Sequence, residues 1–245
     1  MVFADIHCHA LAYVDDGARD AHESKEMIDT AYDDGIRTIC FTPHFKLFEF
    51  RNSNDIEEYN KRVLESFAAS KKYAAENHPN MELFLGNEIM YHDSVADSVF
   101  ASLCKSLNNT SYILVEFMPS APYFEILHAV SSILRSGLIP IIAHVERYSE
   151  LVKKPQRIYE LKSLGALIQI NAWSIKRFRI GKIAHFIKVI LKKRLVDFIS
   201  TDAHDAAALP PQMSLAYNTV EKLCDSDYAK KICNDNALNI LHGNF

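Results

Sequence analysis

The chain has 245 residues, 49% of them hydrophobic and 24% charged, with a formal net charge of -4 at pH 7. A chain of this length and composition folds with a sizeable interior, and its negative balance gives no electrostatic case for general nucleic-acid binding. No apolar run reaches the roughly eighteen residues a membrane span needs, and the N-terminus lacks the charged-then-apolar pattern of a secretion signal, so a cytoplasmic protein without membrane insertion is expected.

The first element is the apolar run VFADI, which leads straight to His7 and His9. On a strand, side chains at i and i+2 share one side, so the two histidines converge on a point while Cys8 faces away. The paired aspartates Asp15 and Asp16 follow, and a helical stretch, SKEMIDTAYDDG, leads to Gly35 and a second strand, TICFT, ending near His44. A long helical segment, IEEYNKRVLESFAASKKYAAEN, precedes the strand MELFLG and Glu88, and SVADSVFASLCKSL reads as the next helix. The strand YILVEF contains Glu116. In the helix EILHAVSSILRSG, Ile126, Leu127, Val130, Ile133 and Leu134 fall at helical spacing and Gly137 is placed to stop it. The strand IPIIAHV ends at His144, the helix QRIYELKSLG at Gly165, and the strand ALIQIN at Asn171. The helix IAHFIKVILKKR then leads to VDFIST, Asp202 and His204, and the tail reads as helices packing on the outside.

Seven strands alternating with helices, with no linker-like stretch between them, predict an α/β protein: a closed seven-stranded (β/α)7 barrel in a single domain over residues 1–245. The competing architecture is an open doubly wound sheet, made less favourable by the absence of a glycine-rich loop after the first strand.

Active sites of parallel βα barrels gather at the C-terminal ends of the strands. Here those ends carry His7, His9, His44, Glu88, Glu116, His144, Asn171, Asp202 and His204. A lone strand-end histidine is more often structural, and Asp16 sits in a DDG turn signal; the ordered set is what points to metal. Glu116 is the hardest to explain otherwise, because a carboxylate inside an apolar strand is costly without a cation. Nitrogen and oxygen donors without thiolate suit a cluster of two or three ions of manganese, iron or zinc. Such a cluster activates water and neutralises charge on a phosphoester. The five cysteines, Cys8, Cys40, Cys104, Cys224 and Cys233, are scattered without CxxC spacing, which argues against a disulfide framework, a zinc-thiolate site or a cysteine nucleophile.

Taken in order, DIHCH…DDGA, TPH, GNE, VEF, AHVERY and TDAH resemble the polymerase and histidinol phosphatase (PHP) superfamily. Within it they are similar to the bacterial metal-dependent protein tyrosine phosphatases encoded with capsule and exopolysaccharide genes. The resemblance implies a distorted seven-stranded, TIM-like PHP-fold barrel and a trinuclear site, with manganese the foremost metal. His7, His9, Glu88 and Asp202 would hold one ion; Glu88 would bridge to a second held by Glu116 and His144; Asp16, His44 and His204 would hold the third. Arg147 would grip the substrate phosphate, its guanidinium fork matching two phosphate oxygens. His44, or a water, would give the leaving tyrosyl oxygen its proton. Tyr13, Phe45 and Trp173 are candidates to meet the phenyl ring, with Phe48 and Phe50 near Phe45. The implied partner is a phosphotyrosine protein, foremost the C-terminal tail of a bacterial tyrosine kinase of exopolysaccharide synthesis. The chain departs from the family pattern at Leu209, where an arginine is common, and in LAY, which places Tyr13 where Leu-Pro-Gly is common. The alternatives are a PHP phosphatase of a small phosphomonoester such as histidinol phosphate, and a metal-binding regulatory protein with weak turnover.

Overall fold

The structure is a computed structural model that describes residues 1–91, 103, 105–177 and 180–243. Among the described residues, nine strands form two sheets. They are β1 (Phe3–Cys8), β2 (Ile36–Phe41), β3 (His44–Phe45), β4 (Glu82–Leu85), β5 (Glu88–Met90), β6 (Tyr112–Glu116), β7 (Ile139–Ile142), β8 (Leu167–Asn171) and β9 (Phe198–Ser200). One sheet runs β1-β2-β4 and the other β3-β5-β6-β7-β8-β9. Every pairing is parallel. The connections carry α1 (Ala21–Asp33), α2 (Ser53–Asn77), α3 (Tyr123–Arg135), α4 (Ser149–Lys153), α5 (Gln156–Leu164), α6 (Ala172–Arg177) and α7 (Lys182–Lys192). The helix expected over SVADSVFASLCKSL lies for the most part outside the described residues.

Local chemistry accounts for these elements. All five residues of β6 are buried, as expected of a parallel strand covered on both faces. Asp20 starts α1 by accepting from the backbone N–H groups of His22 (2.8 Å) and Glu23 (2.9 Å). Gly165 ends α5 in the left-handed region, with φ 112°, where a side chain would be strained. On α3, Ile126, Val130 and Ile133 are buried, while Leu127 and Leu134 pack half-buried at the edge.

Two expected strands are broken. TICFT ends as β2, and after Thr42 and Pro43 the chain resumes as β3 in the other sheet; MELFLG ends as β4 and resumes after Asn87 as β5. Asn87 fixes both breaks, donating through Nδ2 to Pro43 O (3.0 Å) and to the Tyr59 hydroxyl (3.0 Å). As a result His44 and Glu88 become register partners on adjacent strands, as do Met90 and Glu116.

The tail also departs from expectation. α8 (Ser214–Leu223) and α9 (Ser226–Lys230) do pack on the outer layer through Ala216, Val220 and Ala229. The last helix, α10 (Asn236–Leu241), instead buries Ile240 and Leu241 in a cluster with Ala4 and Ile6 of β1, Leu114 of β6, Ile141 of β7 and Phe198 of β9.

The first and last strands meet across a seam. Cys8 bridges Ala203 in parallel, His9 N donates to Ala203 O (2.9 Å), and Asp202 N donates to His7 O (2.8 Å). Asp5 locks the seam from the side: its carboxylate accepts from the N–H groups of His7 (3.1 Å) and Thr201 (3.1 Å) and from the Thr201 hydroxyl. Burial pushes the Asp5 carboxyl up to about 6 against the pull of these donors. Replacing Asp5 with Ala leaves buried donors unpaired and is expected to cost about 2–3 kcal/mol. For a chain of this length that corresponds to a fall in melting temperature of about 5–10 °C, readable by calorimetry. An unchanged melting temperature would show that Asp5 does not hold the seam.

Candidate active site

The strand ends place the expected donors together. His7 and His9 bring their Nε2 atoms to 3.1 Å of one another, while Cys8 is buried on the opposite side in the core. His7 Nε2 lies 3.2 Å from Glu88 Oε1 and 3.1 Å from Asp202 Oδ1, and His9 Nε2 lies 3.3 Å from Glu88 Oε2. His144 Nε2 sits 2.9 Å from Glu88 Oε1 and 3.8 Å from Glu116 Oε2. His44 Nδ1 is 3.0 Å from both Glu88 Oε2 and Glu116 Oε1, and its Nε2 is 3.3 Å from Asp16 Oδ1. His204 closes the ring, with Nε2 at 3.7 Å from Asp16 Oδ1.

Eight of these nine residues form three overlapping groups of converging ligand atoms: His7, His9, Glu88 and Asp202; His9, Asp16, His44 and His204; and His44, Glu88 and Glu116. His144 joins through Glu88. The grouping differs from the expected partition: His44 faces Glu88 and Glu116 as well as Asp16, and His9 joins Asp16, His44 and His204 as well as His7, Glu88 and Asp202, so both histidines stand between two groups.

The donor set fits a cation cluster. Glu88 Oε2, Glu116 Oε1 and His44 Nδ1 are buried atoms without a hydrogen-bond partner, although each of the two carboxylate oxygens lies 3.0 Å from the His44 ring nitrogen. Acceptors crowded together without hydrogen bonds are costly in a protein interior and are stabilised by a shared cation. Oxygen and imidazole ligands with no thiolate suit manganese, iron or zinc.

Several residues that position this set were not among the expected ligands. Asp15 Oδ2 accepts from His9 Nδ1 (2.7 Å) and from His44 N (2.9 Å), which turns the His9 Nε2 lone pair toward the cluster. Gln169 Oε1 does the same for His7, accepting from its Nδ1 (3.3 Å), and also accepts from His144 N (2.7 Å). The Tyr148 hydroxyl lies 3.3 Å from His144 Nδ1. The signal for Gln169 was present: it is a polar side chain within an apolar strand, the feature that singled out Glu116. Gly17 is required by space, because a Cβ there would stand 1.9 Å from the His9 carbonyl oxygen.

Arg147 emerges from the short turn after His144 and donates from Nη2 to Asp202 Oδ2 (2.5 Å). Asn171 Nδ2 donates to the same oxygen (2.7 Å), so Asp202 presents Oδ1 to the histidines and Oδ2 to these two donors. Beside them a cavity of about 390 Å³ is bounded by Arg147, Asp202, Trp173, Leu209 and Arg177. The Arg177 guanidinium stacks over the Trp173 ring at 4.5 Å. Tyr13 is 67% exposed on the loop before Asp15. Phe45 corrects an expectation: it is 1% exposed and packs on Phe50 and Tyr59, because β3 alternation that aims His44 at the cluster aims Phe45 into the core.

Charge balance within the cluster is tight. Burial lowers His7, but the Glu88 and Asp202 carboxylates beside it bring it up to about 10; burial likewise lowers His44, and Glu116 and Glu88 bring it up to about 9. Burial raises Glu88 and Asp202, and His7 beside each holds both well below the usual carboxylate range. The carboxylates thus favour protons on both histidines, and a cation that binds there displaces them. Loading the protein with Mn²⁺ at pH 7 is expected to release protons, and apparent affinity should rise between pH 7 and pH 9. Titration calorimetry in buffers of different ionisation enthalpy reads this, and heats independent of buffer would contradict it.

Comparison with known proteins agrees with this geometry. A model of the family described as capsular polysaccharide synthesis, CpsB/CapC, matches residues 3–242. The tyrosine-protein phosphatase CpsB of Streptococcus pneumoniae is 31% identical over 242 residues, covering 97% of this chain and 97% of that protein. The crystal structures of YwqE from Bacillus subtilis and CpsB from Streptococcus pneumoniae, described as metal-dependent tyrosine phosphatases, include a chain similar to this one with a TM-score of 0.86 and 29% identity, over 99% of this chain and 95% of that one. Histidinol phosphate phosphatase from Lactococcus lactis shares the fold, with a TM-score of 0.58 and 16% identity over 93% of each chain.

Proposed function

The chain belongs to the capsular polysaccharide synthesis CpsB/CapC family, and from that premise we infer that it is a metal-dependent tyrosine-protein phosphatase. The observation that carries the reading is Arg147, held by Asp202 at the mouth of a cavity beside the nine-residue cluster. The two sheets act together as one distorted seven-stranded barrel in a single domain, with β2 and β3 counted as one strand and β4 and β5 as another. The bridge between Cys8 and Ala203 supports that closure. Among the described residues, Cys8, Cys40, Cys224 and Cys233 are unpaired, which supports a reducing, cytoplasmic setting. Among the same residues, no helix is long and apolar enough to cross a membrane.

His7, His9, Glu88 and Asp202 would hold one ion, Glu88, Glu116 and His144 a second, and Asp16, His44 and His204 a third, with manganese the foremost candidate. Bound there, divalent ions would acidify a water and offset charge on the phosphate ester. Arg147 binds phosphate oxygens through its guanidinium fork, and Asp202 and Asn171 keep that fork aimed at the cluster. Trp173 and Leu209 offer apolar walls for the phenyl ring, and Tyr13, exposed on the loop before Asp15, is free to approach a bound peptide. His44 turns Nδ1 to Glu88 and Glu116 and Nε2 to Asp16. As a ligand it has no nitrogen left for the leaving tyrosyl oxygen, whose proton then comes from water. The family's role in capsular polysaccharide synthesis supports a tyrosine kinase of that pathway, in its C-terminal tail, as the phosphotyrosine protein.

Phosphate release from a phosphotyrosyl peptide and from histidinol phosphate tests this reading. The peptide should be the better substrate, and removal of divalent metal should abolish its turnover. Arg147→Ala should lower kcat/KM by about 100-fold, with Arg147→Lys recovering part of the loss. Turnover unaffected by Arg147→Ala, or by chelation, would contradict it.

A further inference from the structure

Three cavities follow one another away from the cluster. The first, at the cluster, includes Trp173 in its wall. Trp173 also bounds a small second cavity together with Lys176 and Leu215. Lys176 and Leu215 in turn bound a third of about 540 Å³ between α6, α7 and α8. Trp173, Lys176 and Leu215 thus stand between the cavity at Arg147 and Asp202 and a groove on the other side of α6, and the space among them is only about 10 Å³.

The groove is apolar at its base and cationic at its rim. Ile175, Ile187, Leu191 and Leu223 line it, and Leu215 is 49% exposed within it. Lys176, Lys188 and Lys222 stand around them, and no Asp or Glu is among the described residues of its lining. The chain carries a formal charge of -4, yet residues 176–194 contain eight Lys and Arg and no Asp or Glu. Such a groove takes apolar anchors of a peptide segment, and its cations favour acidic residues beside those anchors. A bilayer surface fits it less well, because Ile175, Ile187 and Leu191 are buried between helices and only Leu215 among these residues is an exposed apolar side chain.

We propose that the groove between α6, α7 and α8 docks an acidic, apolar-anchored segment of the phosphoprotein substrate, at a distance from the phosphotyrosine held at the cluster. The proposal rests on the phosphatase reading above. Binding at the groove converts capture of the phosphotyrosine into an intramolecular event, so it acts through KM.

Two phosphotyrosyl peptides with one core test it, the second extended by a tether and an acidic, leucine-containing segment of roughly 15 residues. The extended peptide should have kcat/KM at least about tenfold higher, through a lower KM, and the unphosphorylated extension should compete with it. In Lys188→Glu/Lys222→Glu protein, and at high salt, the ratio of the two kcat/KM values should fall to near unity. A ratio near unity in the native sequence, or one unmoved by the double substitution, would overturn docking while leaving the phosphatase reading intact. Sedimentation with phosphatidylserine vesicles that the double substitution abolishes would also overturn it, assigning the face to a membrane. Failure to hydrolyse either peptide would overturn both readings.

Discussion

Glu88 is a carboxylate with no solvent exposure, placed within about 3 Å of four histidine rings, and the rest of the site is organised around that constraint. A buried carboxylate is tolerated only where positive charge meets it, and here the partners come from strands that are distant in sequence. The break between β2 and β3 brings His44 alongside, the end of β1 supplies His7 and His9, and the turn after β7 supplies His144. Each connection serves to keep donors converging on one point that they would not occupy without opposite charge.

Holding that arrangement has a backbone cost. His144 has φ 32° and Asp202 φ 52°, both in the left-handed region that favours glycine. Strain of about 1–3 kcal/mol per residue is typical of such conformations and persists where surrounding contacts over-determine them. Gln169 Oε1 accepts from His144 N, and His7 O accepts from Asp202 N, so the strained amides are tied to the elements that carry other cluster residues. The hydrogen bond between Asp15 and His9 has the same effect on a side chain, fixing which ring nitrogen faces inward.

Much of this was legible in the sequence, for a physical reason. Side-chain alternation on strands makes the spacing of His7 and His9 a statement about direction, and apolar runs reveal polar intruders such as Glu116. Arg147 came from the likeness of AHVERY to the family pattern, and its contact with Asp202 is a tertiary fact that no local pattern carries. The strand breaks at Pro43 and Asn87 were hidden because the side-chain hydrogen bonds of Asn87 reach residues more than 25 positions away. Phe45 was misread because it was weighed as an aromatic in a cluster, whereas alternation from His44 already sends it to the core. The burial of α10 against the strands depends on which end of the sheet is left uncovered, a property of the assembled fold.

Metal content of the purified protein beside a Glu88→Gln variant tests the central claim most directly. The substitution keeps shape and removes the charge that the histidines share. The account predicts two or three divalent ions per chain in the native sequence and loss of at least one of them in the variant, with secondary structure retained by circular dichroism. An unchanged complement of ions in the variant, or a native protein that takes up none when divalent metal is supplied, would contradict it.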